Sequence, residues 1–104
     1  DEPRPLKIWG EMGREPGQLR YPYGIELDGH GHVYIAEFGN SRIQKFTLDG
    51  KLVGRFGSAG RKVGQLGWPH ALSCVAENEL YVGELLNWRV QKFTLKPGAA
   101  ANTR

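Results

Sequence analysis

Apolar positions fall in short runs that close on turn residues, the pattern of strands and not of helices. Tyr23–Leu27, Val33–Ala36, Arg42–Leu48 and Leu52–Phe56 are separated by Asp28-Gly29-His30-Gly31, Phe38-Gly39-Asn40 and Asp49-Gly50. These are predicted strands A, B, C and D. Val33-Tyr34-Ile35-Ala36 is apolar almost continuously, as a strand in a sheet covered on both faces requires. The order then returns with A near Ala71–Val75, B near Glu79–Val82 and C near Arg89–Leu95, and stops without a fourth strand. Leu6-Lys7-Ile8-Trp9-Gly10 aligns with Val53–Gly57 and reads as a D strand ahead of the first unit.

The return is an internal repeat. Ile43-Gln44-Lys45-Phe46-Thr47-Leu48 reappears as Val90-Gln91-Lys92-Phe93-Thr94-Leu95 at an offset of 47. The same offset carries Gly17-Gln18-Leu19 onto Gly64-Gln65-Leu66 and Pro22 onto Pro69. It also carries Tyr34 onto Tyr81, Glu37 onto Glu84, Asn40 onto Asn87 and Arg42 onto Arg89. Lys7–Leu48 aligns with Gly54–Leu95 without a gap, with 16 identities in 42 pairs, far beyond chance. A period in the forties with four strands per unit is the pattern of β-propeller blades. The fold class is therefore all-β: four-stranded antiparallel blades, two blades' worth per chain, in the order D-ABCD-ABC. Residues 1–10 hold the last strand of a preceding blade, 11–57 blade one, 58–96 blade two without its own fourth strand, and 97–104 a flexible tail. A single eight-stranded sandwich could use the same strands but has no need of an exact long repeat.

Composition agrees and adds exclusions. Glycine is 15 of 104 residues, about twice the usual ~7%, as many tight turns demand. One cysteine excludes a disulfide framework or a four-cysteine zinc site and leaves the redox compartment open. No apolar run approaches the ~20 residues of a membrane span, so no membrane partner is expected. Asp1-Glu2-Pro3-Arg4-Pro5 is neither a signal nor a transit peptide, and an export signal, if the parent has one, is not in this chain. A net charge of +3 permits phosphate contacts without indicating them.

The stretch Phe56-Gly57-Ser58…Gly64-Gln65-Leu66…Trp68-Pro69, with Gly31…Val33-Tyr34-Ile35-Ala36-Glu37…Asn40-Ser41-Arg42-Ile43-Gln44-Lys45-Phe46, resembles the NHL repeat. The resemblance spans about Lys7 to Leu95 and implies a β-propeller, six-bladed in most members. It leaves the compartment unknown, an extracytoplasmic one included. One departure is Glu37 and Glu84 where the usual residue before the B–C loop is Asp.

Residues shared by both units are structural in this reading. Arg42 and Arg89 are expected to tie Glu37 and Glu84 across the B–C loop. Asn40 and Asn87 suit left-handed turn positions, and Lys45 and Lys92 a solvated strand. Binding is expected where the units differ. In a propeller the D–A and B–C loops share the face around the channel mouth. There the sequence places Arg20, Tyr21 and Tyr23, then Phe38, Arg61, Trp68, His70, Leu85 and Trp88, an aromatic mouth with a basic rim. Rings such as Trp68 also suit a plug between blades.

Pro69-His70 resembles the Pro-His pairs with which peptidyl-α-hydroxyglycine amidating lyases, themselves NHL-type propellers, hold a zinc ion. That resemblance makes His70 the candidate metal ligand and zinc the candidate cofactor. It also implies a tyrosine and an arginine in the B–C loops, where Phe38 and Leu85 stand instead and serve neither role. His30-Gly31-His32 with Asp28 reads as a solvated turn, and Cys74, aligned with Leu27, as a small buried hydrophobe. The functional expectation is a non-enzymatic module, or fragment of one, that binds a protein, peptide or small ligand at the channel mouth. A zinc-dependent lyase is the alternative, and single-stranded RNA binding comes third, because basic residues and rings do not cluster into an RNA-binding module. The other expected partners are further blades: copies forming a homotrimeric six-bladed ring, with three His70 side chains about its axis, or the rest of a parent propeller.

Overall fold

The computed structural model describes residues 4–95, and the expected flexible tail at 97–104 lies outside them. Two antiparallel sheets are formed in simple meander order. The first contains β1 (Pro22–Leu27), β2 (His32–Glu37), β3 (Arg42–Thr47) and β4 (Leu52–Phe56). The second contains β5 (Pro69–Ala76), β6 (Glu79–Glu84) and β7 (Arg89–Thr94). These are the expected A, B, C, D and A, B, C strands. Among the described residues there is no helix, and none is long and apolar enough to cross a membrane.

The two blades pack face to face. Tyr34, Ala36 and Ile43 of the first meet Leu80, Val82 and Phe93 of the second in one core, with Phe56 and Leu66 between them. Gly24 is required at this seam, because the His70 carbonyl passes 2.6 Å from where a Cβ would stand. A smaller cluster of Val33, Ile35 and Phe46 fills the opposite face of blade one, partly covered by Trp9, Leu19 and Leu52. Strand β2 is consequently buried along nearly its whole length, as its apolar run demanded. Strand β6, with the same kind of sequence, leaves Tyr81 exposed, since among the described residues no sheet covers its outer face.

Two expectations are corrected, and a third finds no partner here: among the described residues no strand C stands beside Leu6–Trp9, and this segment is not in a strand. Trp9 nonetheless holds the place that Phe56 holds one unit later: its ring meets Phe46 at 4.9 Å, as Phe56 meets Phe93 at 4.7 Å. Lys45 is not on a solvated strand. It is buried by blade two, with Nζ donating to Asn78 Oδ1 at 2.9 Å and lying 5.5 Å from the Tyr34 ring. Lys92, on the uncovered face, is exposed. The left-handed positions in the B–C loops are Ser41 and Trp88 (φ 51° and 52°), one residue after Asn40 and Asn87. The two asparagines act through their side chains instead.

Candidate functional site

A clamp around one buried carboxylate sets each loop at the mouth. Glu37 Oε2 accepts from Arg42 Nε at 2.7 Å and Gln44 Nε2 at 2.8 Å, while its Oε1 accepts from Asn40 Nδ2 at 2.7 Å and the Arg20 amide at 3.2 Å. The rest of the Arg42 fork donates to the carbonyls of Arg14, Glu15 and Gln18. Asn40 reaches the Gly13 carbonyl, and Gln44 closes the set with the Gln18 carbonyl and the Gly17 amide. The D–A loop is thereby pinned to the B–C loop by the planar donor array of one arginine. Blade two repeats the arrangement around Glu84, with Arg89 at 2.6 Å and Asn87 and Gln91 at 2.8 Å each. Burial by itself would raise the Glu84 carboxyl. The Arg89 guanidinium, the Gly67 amide, Asn87 and Gln91 outweigh it and hold the group below its usual range.

The clamps carry the rings. Tyr21 and Trp68 close the two D–A loops, both in the left-handed region at φ 49° and 53°. Paired backbone bonds hold them there: the Phe38 and Gly39 amides donate to the Tyr21 and Arg20 carbonyls, and the Leu85 and Leu86 amides to those of Trp68 and Gly67. For bulky aromatic residues this backbone is strained, and it persists only where the surroundings enforce it. Five of the expected mouth residues come together across the seam. Phe38 stacks on Trp68 at 5.1 Å, Tyr23 lies 5.3 Å from Phe38 and 5.2 Å from the His70 ring, and Tyr21 touches both Tyr23 and Phe38. Tyr21, Tyr23, Trp68 and His70 remain exposed. Trp68 thus both seals the gap between blades and faces solvent.

The other four residues are not among these ring contacts. Arg20 borders a groove lined by Trp9, Met12 and Leu19. Arg61 and Trp88 share a shallow cleft with Asn87 and Arg89, and Trp88 is 91% exposed. Leu85 points outward from the B–C loop, serving the site through its amide.

At the opposite end of the seam, Gly29, His30 and Gly31 of the turn after β1 are exposed, as expected of a solvated turn. The Asp28 side chain has no solvent exposure. Its Oδ1 accepts from the His30 and His32 amides, and its Oδ2 from His32 Nδ1 at 2.8 Å and the Tyr34 hydroxyl at 3.2 Å. Burial by itself would raise this carboxyl, but the His30 and His32 hydrogen bonds outweigh it and hold it below its usual range. Asp28, His32 and Glu77 bring ligand atoms within 4.8 Å of one another. The carboxylate's acceptor positions are already filled by protein donors, so the donor set fits a polar lock better than a cation cage. His70 belongs to no such group among the described residues, and its ring neighbour is Tyr23. These residues do not by themselves fit a zinc site. Cys74 packs against the seam core, where burial pushes its thiol up.

The sequence reading did not find this lock of Asp28, His32, Tyr34, Asn78 and Lys45. A signal was present, since Asp28 and Asn78 stand where the other unit has Val75 and Gly31.

Comparison with known proteins places residues 19–46, from the end of the D–A loop to strand C, within the family model described as NHL repeat. Protein lin-41 of Caenorhabditis elegans is 35% identical over 51 residues, covering 49% of this chain and 4% of that protein. NHL repeat-containing protein 3 of Homo sapiens is 41% identical over 44 residues, covering 42% of this chain and 13% of the relative. The human E3 ubiquitin-protein ligase TRIM32 is 40% identical over 47 residues, 45% of this chain and 7% of the ligase. The chain therefore spans only a small part of the length of these relatives.

Proposed function

From a chain that carries the NHL repeat, we propose a non-enzymatic propeller module that binds a protein or peptide at the ring patch of Tyr21, Tyr23, Phe38, Trp68 and His70. The observation that carries this reading is the pair of aromatic residues held exposed in strained left-handed backbone on either side of the seam. Strain of this kind gathers at functional sites, and exposed tyrosine and tryptophan supply much contact area for little lost conformational freedom. The clamps around Glu37 and Glu84 are positioning devices beneath that surface. Such a role suits a relative whose name describes a ligase acting on proteins, although the matched part is a small share of that enzyme.

The experiment is selection of a random displayed peptide library on the full chain. Enriched peptides bind the wild type and lose about tenfold or more in affinity on Trp68→Ala and Tyr21→Ala, while Trp88→Ala keeps them. Peptides that bind Trp68→Ala equally well overturn the reading. So does an outcome in which no peptide is enriched and labelled single-stranded RNA binds with a steep salt dependence.

The module's other partners in this reading are further blades. Two blades per chain close a six-bladed ring as a homotrimer, with a light-scattering mass of three chains as the expected result.

A further inference from the structure

The two outer faces of this chain are unlike each other, and each repeats one half of the seam already formed inside it. On blade one, Ile25 and Leu27 are exposed beside grooves lined by Trp9, Leu19, Pro22 and Ile35. Their counterparts one unit later are Leu72, Cys74, Phe56, Leu66, Pro69 and Val82, which line the inner seam. The grooves are thus a preformed socket of about 580 Å³ and about 280 Å³. On blade two, Tyr81, Gly83, Val90 and Lys92 form the counterpart of Tyr34, Ala36, Ile43 and Lys45, the surface that enters the inner seam. That key is also preformed, with Lys92 Nζ 5.7 Å from the Tyr81 ring as Lys45 lies over Tyr34.

We infer that the socket on blade one receives the Tyr81–Val90 face of another copy of this chain, head to tail. This rests on the ring reading above and names the surfaces that would make it. Continuity with the inner seam is the first argument, and size is the second. On the key, Gly83 and Val90 are each one carbon smaller than Ala36 and Ile43. In the socket, Ile35 and Trp9 are larger than Val82 and Phe56. The losses and gains offset one another, as a close-packed contact needs.

Charge is the third argument. Lys45 finds its acceptor in Asn78 across the inner seam, but the counterpart of Asn78 in the socket is Gly31, which offers no side chain. Lys92 brings its own partner, Glu79 at 3.5 Å, so closing this seam leaves no ammonium unpaired.

The new seam is not a replica of the inner one. Gly24 stands opposite Ala36 in the first sheet, whereas Ala71 stands opposite Gly83 in the second, so the methyl group has moved from strand B to strand A. A replica would drive the Tyr23 carbonyl into the Ala71 Cβ, where at the inner seam the His70 carbonyl passes the bare Gly24. The socket therefore stands off from β5 of the incoming copy and closes on its β6 and β7, where Gly83 and Val90 leave room for Trp9 and Ile35.

A mixing experiment tests this with two variants at exposed positions, Ile25→Glu in the socket and Val90→Glu on the key. Far-UV circular dichroism establishes that both are folded. Each alone is expected to scatter light as one chain, and the equimolar mixture as a dimer and nothing larger, since it contains one intact key and one intact socket. A wild type larger than one chain but not a trimer, with that mixing result, supports these faces and sinks only the threefold ring. A trimeric wild type whose Ile25→Glu variant stays trimeric overturns the faces and leaves the ring. A mixture that stays at one chain, or a monomeric wild type, also overturns the inference.

Discussion

Arg42 spends its guanidinium on four acceptors, one of them a carboxylate with no exposed surface. Removing such a partner leaves the carboxylate buried without its counter-charge. Arg42→Ala is therefore expected to cost about 3–5 kcal/mol in chemical denaturation. Arg42→Lys recovers only a fraction, because one ammonium cannot reproduce the planar fork. Arg89→Ala costs less, since its side chain is 27% exposed and water replaces part of the loss. Glu84 gives the fold an acid dependence of definite sign. Its folded value lies below the ordinary 4.5, so its stabilisation is complete above that value and is lost as pH falls through the folded value. The urea midpoint should drop as the pH falls below 4.5, and Glu84→Gln should start lower and flatten the slope.

Between elements, the seam combines an apolar core with one polar lock. Lys45 on β3 and Asn78 in the β5–β6 turn meet only because the blades do. Asn78 is in the left-handed region at φ 63°, so Asn78→Gly removes the acceptor without adding backbone strain. It should cost about 1.5–3 kcal/mol in the wild type, the range for hydrogen bonds to charged groups. With Lys45→Met already present the same change should cost well under half as much. A double-mutant cycle in urea measures the difference, and equal costs in both backgrounds would show that the lock contributes nothing.

For the whole molecule, stability and assembly are one quantity if the outer faces find partners. The apolar surfaces left open at Ile25 (67% exposed) and Val90 (68% exposed) are covered only in a larger structure. The melting temperature of the wild-type chain should therefore rise with protein concentration, and that of Val90→Glu should not. Scanning calorimetry over a hundredfold range of concentration makes the comparison.

The blades, their strand order and the Glu37–Arg42 and Glu84–Arg89 ties were legible in the chain alone. Each depends on neighbours close in sequence or on a repeat that states the same instruction twice. The five-ring patch was legible as a set of loop positions, though its division from Arg20, Arg61, Leu85 and Trp88 was not. Direction along a loop is set by clamps formed with another loop, as the Phe38 and Gly39 amides do for Tyr21. Lys45 and Lys92 are the plainest case: identical residues in strand sequences that differ only at Ile43 and Val90, one buried and one exposed. No local pattern distinguishes them, because the difference lies in whether another sheet stands against that face. The same reason left the Asp28 side chain hidden behind its position in a turn. Hydrophobic periodicity decides which way a side chain points from its own sheet, and only the packing of sheets decides what it meets there.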